Sequence, residues 1–176
     1  MRFTATPIAG VCVVDLDPRE DERGFFARTW CAEEFRAQGL DARLAQCSIS
    51  SNRAKGTLRG MHFQTAPHEE AKLVSCPQGR IFDVALDLRP GSPTYCRWFG
   101  VELSAANHRA LYVPPGCAHG MQTLEDDCIV AYAISVPFEP ASARAVRWDD
   151  PAFGIAWPLP SPTLSPKDRD VPDFVR

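Results

Sequence analysis

In the stretch GTLRGMHFQ, Gly56 to Gln64, an arginine and a histidine stand three residues apart inside a run that otherwise reads as a buried strand. An imidazole titrates near neutral pH and can take or return a proton, while a guanidinium fork suits oxyanions such as phosphate. Only four histidines occur, His62, His68, His108 and His119. His62 in RGMHFQ and His119 in PPGCAHGMQ adjoin glycine and apolar residues, so these two are the best placed to be enclosed. A lone histidine in such a setting is more often a satisfied core residue than a catalyst. The company of Arg59, of Lys72 in EEAKLVSC and of Tyr132 in CIVAYAIS, all in strand-like runs, points instead to a site that moves protons.

In a regular strand Arg59 and His62 face opposite ways, because sides alternate with period 2. Gly60 between them is a candidate bulge that turns both to one side; the alternative is an Arg59 that faces solvent or a partner subunit. Lys72 heads its strand after an acidic turn and reads by default as a surface lysine.

The elements that must position these groups are strands. Runs of four to eight strand-like residues recur from GVCVVDL through AQCSIS, TLRGMHFQ, AKLVSC, RIFDVALDL, WFGVEL, ALYVPP and GMQTLE to CIVAYAIS, separated by turn signals such as Pro-Gly and Glu-Asp-Asp. That spacing predicts an all-β sandwich or barrel. GFFARTW reads as a further strand, and AEEFRAQGL, acidic at its front and closed by glycine, as a short helix. Several of the sixteen prolines gather in WPLPSPTLSPKDRDVPDF, so from about residue 158 the chain is expected to run as an extended segment packed over a single domain spanning residues 1–176. Alternation also sorts side chains. In RIFDVALDLR, Phe82, Val84, Leu86 and Leu88 share one face, and Asp83 and Asp87 share the other with Ile81 and Ala85, as around a polar cavity. In CIVAYAIS, Tyr132 is the one polar member of a face with Cys128, Val130 and Ile134, where its hydroxyl could donate a proton.

A net charge of -3 gives no electrostatic reason to expect nucleic acid. Aspartates break the longest apolar runs well before the ~18 residues of a membrane span, and the N-terminal residues lack a signal-peptide core, so a cytoplasmic protein with no membrane association is expected. Seven cysteines, an odd number with no CxxC pair, read as core residues rather than disulfides or a zinc site.

The segments KGTLRGMHFQ, AKLV, FDVALDLRPGSPTY, WFGVELSAANHRALYVPPGCAHGMQTLED and RWDDPAFGIAWP together resemble the dTDP-4-dehydrorhamnose 3,5-epimerase family, over nearly the whole chain. The resemblance implies a cupin-type jelly roll (double-stranded β-helix) with a few short helices. It also implies a homodimer that uses no cofactor and no metal and epimerises a nucleotide-diphospho-4-keto-6-deoxy sugar through an enolate. It places His62 as base, Lys72 at the enolate oxygen, Tyr132 as the returning acid and Asp168 as the carboxylate that orients the base. Asp83 and His119 become a second polar pair, Arg23 and Arg59 the cations on the diphosphate, and Phe26 an aromatic on base or sugar. Three features depart from the family pattern. Arg28 stands where an acidic residue is usual, the usual Q-x-N before the LRG strand is missing, with Gln46 and Asn52 as the candidates to substitute for it, and Phe138 stands where a second tyrosine is usual. Phe138 makes inversion at C3 or C5 only the alternative activity, and Arg28 leaves a different nucleotide sugar open as its substrate. Two rival readings are a metal-dependent cupin using His62, His68, Glu70 and His119, and a non-catalytic sugar-nucleotide binder.

Overall fold

Residues 1–175 of the computed structural model are described, and among them the alternating runs become thirteen strands and two short helices. In chain order these are β1 (Arg2–Ala5), β2 (Cys12–Asp15), β3 (Arg19–Asp21), β4 (Gly24–Phe26), α1 (Ala32–Ala37), β5 (Gln46–Asn52), β6 (Leu58–Gln64) and β7 (Lys72–Gln78). There follow β8 (Arg80–Asp87), β9 (Trp98–Ser104), β10 (Arg109–Val113), β11 (Cys117–Thr123), β12 (Cys128–Ile134), β13 (Ala143–Ala145) and α2 (Pro166–Arg169). A six-stranded sheet runs β1-β2-β10-β7-β12-β5 and a five-stranded one β13-β6-β11-β8-β9, with β3 and β4 forming a separate ribbon. The strand pairs are antiparallel, and the fold is the cupin-type jelly roll.

Apolar residues from the inner faces of both sheets, Val13, Val74, Ile81, Ala85, Leu111, Met121 and Val130 among them, make one core. A second apolar layer coats the outside of the six-stranded sheet, where α1 buries Phe35 edge-on to Phe3 at 5.2 Å and against Tyr112 at 5.8 Å. Full burial of such a ring is worth roughly 1.5–3 kcal/mol. A third layer of Met61, Val84, Leu86, Phe153 and Ile155 lies under the C-terminal segment on the outside of the five-stranded sheet. β8 therefore has two buried faces, and the alternation read from its sequence holds: Val84 and Leu86 point outward to the tail while Asp83 stays on the side of Ile81 and Ala85.

The expected bulge is present in β6. His62 pairs with His119 but Arg59 pairs with Met121, so Gly60 and Met61 together oppose Gly120. That extra residue cancels the odd spacing and brings Arg59 and His62 to the same side of the sheet. Only glycine fits there. Gly60 has φ +140°, and a Cβ on it would stand 2.5 Å from the Cα of Gly120; a Cβ on Gly120 would stand 2.5 Å from Met61 Sδ.

The tail is pinned rather than loose. The amide of Gln122 bonds both backbone groups of Leu159 at 2.9 Å, and Thr163 bridges Thr57. The expectation of an extended tail from about residue 158 needs one correction, since residues 166–169 form α2. Ser165 caps this helix by accepting from the backbone N–H of Asp168, and Pro166 supplies the preset φ of its first residue. The strand expected in GFFARTW is confined to Gly24–Phe26.

Candidate active site

His62 Nε2 lies 2.6 Å from Asp168 Oδ1, joining β6 to α2. Asp168 is 4% exposed. Burial pushes its carboxyl up, but the hydrogen bond and charge of His62, with help from Ser165 and Lys167, outweigh this and hold it below the usual carboxylate range. An anionic partner fixes the tautomer: Nε2 carries the hydrogen and donates it, leaving the Nδ1 lone pair as the basic atom.

Lys72 opens β7 on the same inward face as Val74 and Cys76, so it is not the surface lysine of the default reading. Its Nζ meets Glu70 Oε1 at 2.5 Å and donates to the backbone oxygen of His62 at 3.2 Å. His119, directly across from His62, meets Asp83 through Nε2 at 2.7 Å, and its ring stands edge-on to Tyr132 at 5.9 Å. Burial drives the Asp83 carboxyl up against the opposing pull of His119 and Lys72. Tyr132 shares its face with Cys128 and Val130, as the alternation predicts, and its hydroxyl lies 3.4 Å from Ser50 Oγ. Burial, opposed by the Ser50 hydrogen bond and aided by the nearby Asp83, pushes its phenol up to about 12, which keeps it a proton donor at neutral pH.

A cavity of about 250 Å³ opens beside His62 and Lys72, lined also by Gln46, Glu70, Phe138 and Lys167. Phe138 is 61% exposed at its edge; its backbone N–H donates to Gln46 Oε1, and Gln64 accepts from Glu139 N–H at 2.6 Å. Arg59 donates through Nε to Asn52 Oδ1 at 2.8 Å. Asn52 itself is buried and spends its amide hydrogens on Ser50 and the Cys128 carbonyl, so it holds Arg59 rather than facing the cavity.

Of the expected residues, Gln46, His62, Lys72 and Phe138 line this cavity; Arg59, Asp83, His119, Tyr132 and Asp168 do not line it but connect to His62 or to one another, and Arg23 and Phe26 lie apart from it within the chain. Arg23 is an exposed side chain paired with Asp21, and Phe26, 76% exposed, lines a separate recess beside Arg28, whose partner is Glu34 at 2.9 Å. Of the residues weighed as metal ligands, His68 bonds Ser142 while His62 and His119 bond their own aspartates, and among the described residues no group of three or more His, Cys, Asp or Glu side chains is placed to hold a metal ion. A larger cavity of about 630 Å³ lies against the six-stranded sheet, lined by apolar residues such as Phe25, Trp30, Ile49, Leu73 and Ala133, and Tyr132 also borders it. No helix among the described residues is long and apolar enough to cross a membrane.

Sequence reading missed two members of the site. Glu70 was weighed only as a metal ligand, although an acid two residues before an inward lysine is a signal for a charge pair. Lys167 sits beside Asp168 in a capped helix that the proline content disguised.

Residues 5–175 match the family model described as dTDP-4-dehydrorhamnose 3,5-epimerase. A protein of that name from Sinorhizobium fredii is 41% identical over 175 residues, covering 99% of this chain and 90% of the relative. A dTDP-4-dehydrorhamnose 3-epimerase from Streptomyces niveus is 39% identical, covering 97% and 83% of the two chains. The crystal structure of dTDP-4-dehydrorhamnose 3,5-epimerase from Elizabethkingia anophelis superposes with a TM-score of 0.96 at 37% identity, covering 99% of this chain and 96% of that one.

Proposed function

We propose, from the premise that this chain belongs to the dTDP-4-dehydrorhamnose 3,5-epimerase family, that it acts on dTDP-4-keto-6-deoxyglucose and inverts C3, or both C3 and C5. The chain is an isomerase that epimerises a nucleotide-linked 4-keto-6-deoxy sugar. The ketone acidifies the C–H bonds beside it. His62 takes one such proton on Nδ1, the bonding pair forms a carbon–carbon double bond, and the carbonyl electrons move to the oxygen, where the Lys72 ammonium meets the new charge. Tyr132 then gives its hydroxyl proton to the opposite face of the carbon, and solvent restores both side chains. A positioned base contributes roughly 10² to 10⁴ in rate. Asp168 keeps the His62 tautomer that leaves Nδ1 basic, and Asp83 and His119 back Tyr132 from below.

The observation that carries this reading is the β6 bulge. It sets Arg59 and His62 on one face of the sheet, with His62 paired across to the His119 whose ring meets Tyr132, which supports a diphosphate cation and two proton groups acting from the same side. Gln46 and Phe138 border the same cavity, where Phe138 offers an apolar plane to base or sugar. The Streptomyces niveus relative, a 3-epimerase by name, and the missing hydroxyl at Phe138 both favour C3 as the carbon always inverted.

The single domain works in the cytoplasm as a homodimer. Edge strand β5 and the exposed apolar Phe25, Phe26 and Ile49 give a second copy its landing surface. Arg23 and Phe26 then serve the partner's cavity, since they do not reach their own. The test is NMR of the sugar nucleotide in deuterated water. Deuterium at C3 and C5 marks double inversion and deuterium at C3 alone a single inversion; no incorporation by folded enzyme refutes the assignment, and His62→Ala abolishes any incorporation.

A further inference from the structure

The Lys72 ammonium has three N–H donors, and the protein accounts for two of them. One goes to Glu70 Oε1 at 2.5 Å and one to the His62 carbonyl at 3.2 Å. Both side chains of the ion pair are largely buried at the cavity wall, with relative exposures of 12% for Lys72 and 6% for Glu70. The second carboxylate oxygen of Glu70 is buried without a hydrogen-bond partner among the described residues, so Lys72 is what compensates this charge. The backbone between them is fixed as well: Ala71 N–H donates to Ser135 Oγ at 2.8 Å, and Ser135 N–H to the Ala71 carbonyl at 3.0 Å. A flexible four-carbon stem is thereby held at its base and at its tip.

We infer that Glu70 is a positioning residue of this enzyme: with the His62 carbonyl it occupies two hydrogens of the Lys72 ammonium and leaves the third directed at the oxygen of the sugar ketone. This rests on the role proposed for Lys72. A lysine tip with no such anchor samples several rotamers, and an enolate stabiliser works only if it is already in place when charge develops. Glu70 also supplies the negative charge that a buried ammonium needs, because breaking a buried pair leaves the remaining ion uncompensated. Its negative charge weakens the field of Lys72 at the enolate. The arrangement therefore trades some electrostatic pull for a fixed direction, and the loss on removing Glu70 falls on the chemical step rather than on substrate binding.

The test compares Glu70→Gln, which keeps an oxygen acceptor in the same place, with Glu70→Ala, using full-length protein. The chain has three lysines, Lys55, Lys72 and Lys167, so the ammonium signal of Lys72 in lysine-labelled protein is assigned by its loss in Lys72→Ala. The expected result is a water-protected Lys72 ammonium signal in the wild type, weakened in Glu70→Gln and lost in Glu70→Ala. In parallel kcat falls up to ~100-fold in Glu70→Ala with KM nearly unchanged, and Glu70→Gln recovers part of it. An unchanged Lys72 signal in Glu70→Ala, a wild-type kcat in both variants, or a loss confined to KM overturns the inference. If Glu70→Ala does not fold, the isosteric Glu70→Gln decides by the same two readings. A wild-type enzyme that turns over no substrate refutes the assigned reaction instead, while the ammonium signal still judges whether Glu70 anchors Lys72.

Discussion

Replacing Asp168 by asparagine tests the hydrogen bond on which the basic atom of His62 depends. The Nε2 to Oδ1 distance of 2.6 Å and the 4% exposure of Asp168 mark a charge-assisted bond. Such bonds are worth about 1.5–3 kcal/mol, and at about 1.4 kcal/mol per factor of ten their loss alone slows turnover roughly 10- to 150-fold. Asparagine adds a second penalty. If its amide nitrogen turns toward Nε2 it donates, the ring hydrogen moves to Nδ1, and the atom that must take the proton is blocked; together the effects reach roughly 10³- to 10⁴-fold. Asp168→Ala removes the bond without imposing the wrong tautomer and is expected to retain more activity than Asp168→Asn. The assay is deuterium incorporation beside the ketone at saturating substrate, with a melting curve to confirm the fold. A folded Asp168→Asn with turnover within threefold of wild type would refute the reasoning, because the carboxylate would then be a mere packing partner of the histidine.

Four other substitutions probe other links. Gly60→Ala places a methyl 2.5 Å from the backbone of Gly120 at φ +140°, and overpacking together with backbone strain is expected to cost about 3–5 kcal/mol, read as a drop in melting temperature and in activity. Tyr132→Phe removes the acid but not the base, so substrate should take up deuterium with retained configuration while no epimer forms; wild-type epimer formation should show no loss from this phenol below about pH 11, because a phenol pushed up to about 12 stays protonated until pH rises through that value. Asp87→Asn breaks a buried cluster in which Arg89, Ser92 and Thr94 bond one carboxylate at 2.6–2.8 Å, at an expected cost of about 3 kcal/mol near pH 7. Burial opposes ionisation of Asp87, but those bonds win and hold its carboxyl far below the ordinary 3.8, so the contribution is present above that value and lost as pH falls further; denaturant melts of the two proteins should converge in strong acid. Phe138→Tyr restores a hydroxyl at an exposed edge and should leave stability within about 0.5 kcal/mol while changing the ratio of C5 to C3 exchange.

What the sequence made legible was mostly local. Period-2 alternation placed Asp83 and Tyr132 on inward faces because each lies in a long strand that pairs in unbroken register with at least one neighbour, β8 with β9 and β11, and β12 with β5. The bulge at Gly60 was legible as a candidate for the same reason: a glycine inside a strand pattern invites a break in the count. Its consequence for Arg59 was open until the pairing with β11 was known, since a bulge depends on the partner strand as much as on its own. Lys72 read as exposed because the acidic turn before it suggested solvent; Glu69 is indeed exposed, but Lys72 itself is paired on both sides by β10 and β12 and Glu70 is buried against it. The helix α2 was hidden by composition: four prolines close together suggested an extended run, and the Ser-Pro-Lys-Asp start signal inside it was outweighed. Long-range placement of Arg23 and Phe26 left no local trace, because a ribbon's position relative to a cavity is set by tertiary packing alone.

The same reasoning explains why the change at position 138 is a matter of chemistry rather than of shape. Gln46 accepts from the Phe138 N–H, and Gln64 takes Glu139 N–H while donating to the carbonyls of His68 and Pro137, so the backbone on both sides of the ring is tied to β5 and β6. A ring placed by its backbone keeps its position whether or not it carries a hydroxyl. The difference between phenylalanine and tyrosine then reduces to one donor at the cavity edge. Phe138→Tyr therefore tests the effect of a single oxygen atom on the ratio of C5 to C3 exchange, with the fold, His62 and Lys72 left as they are.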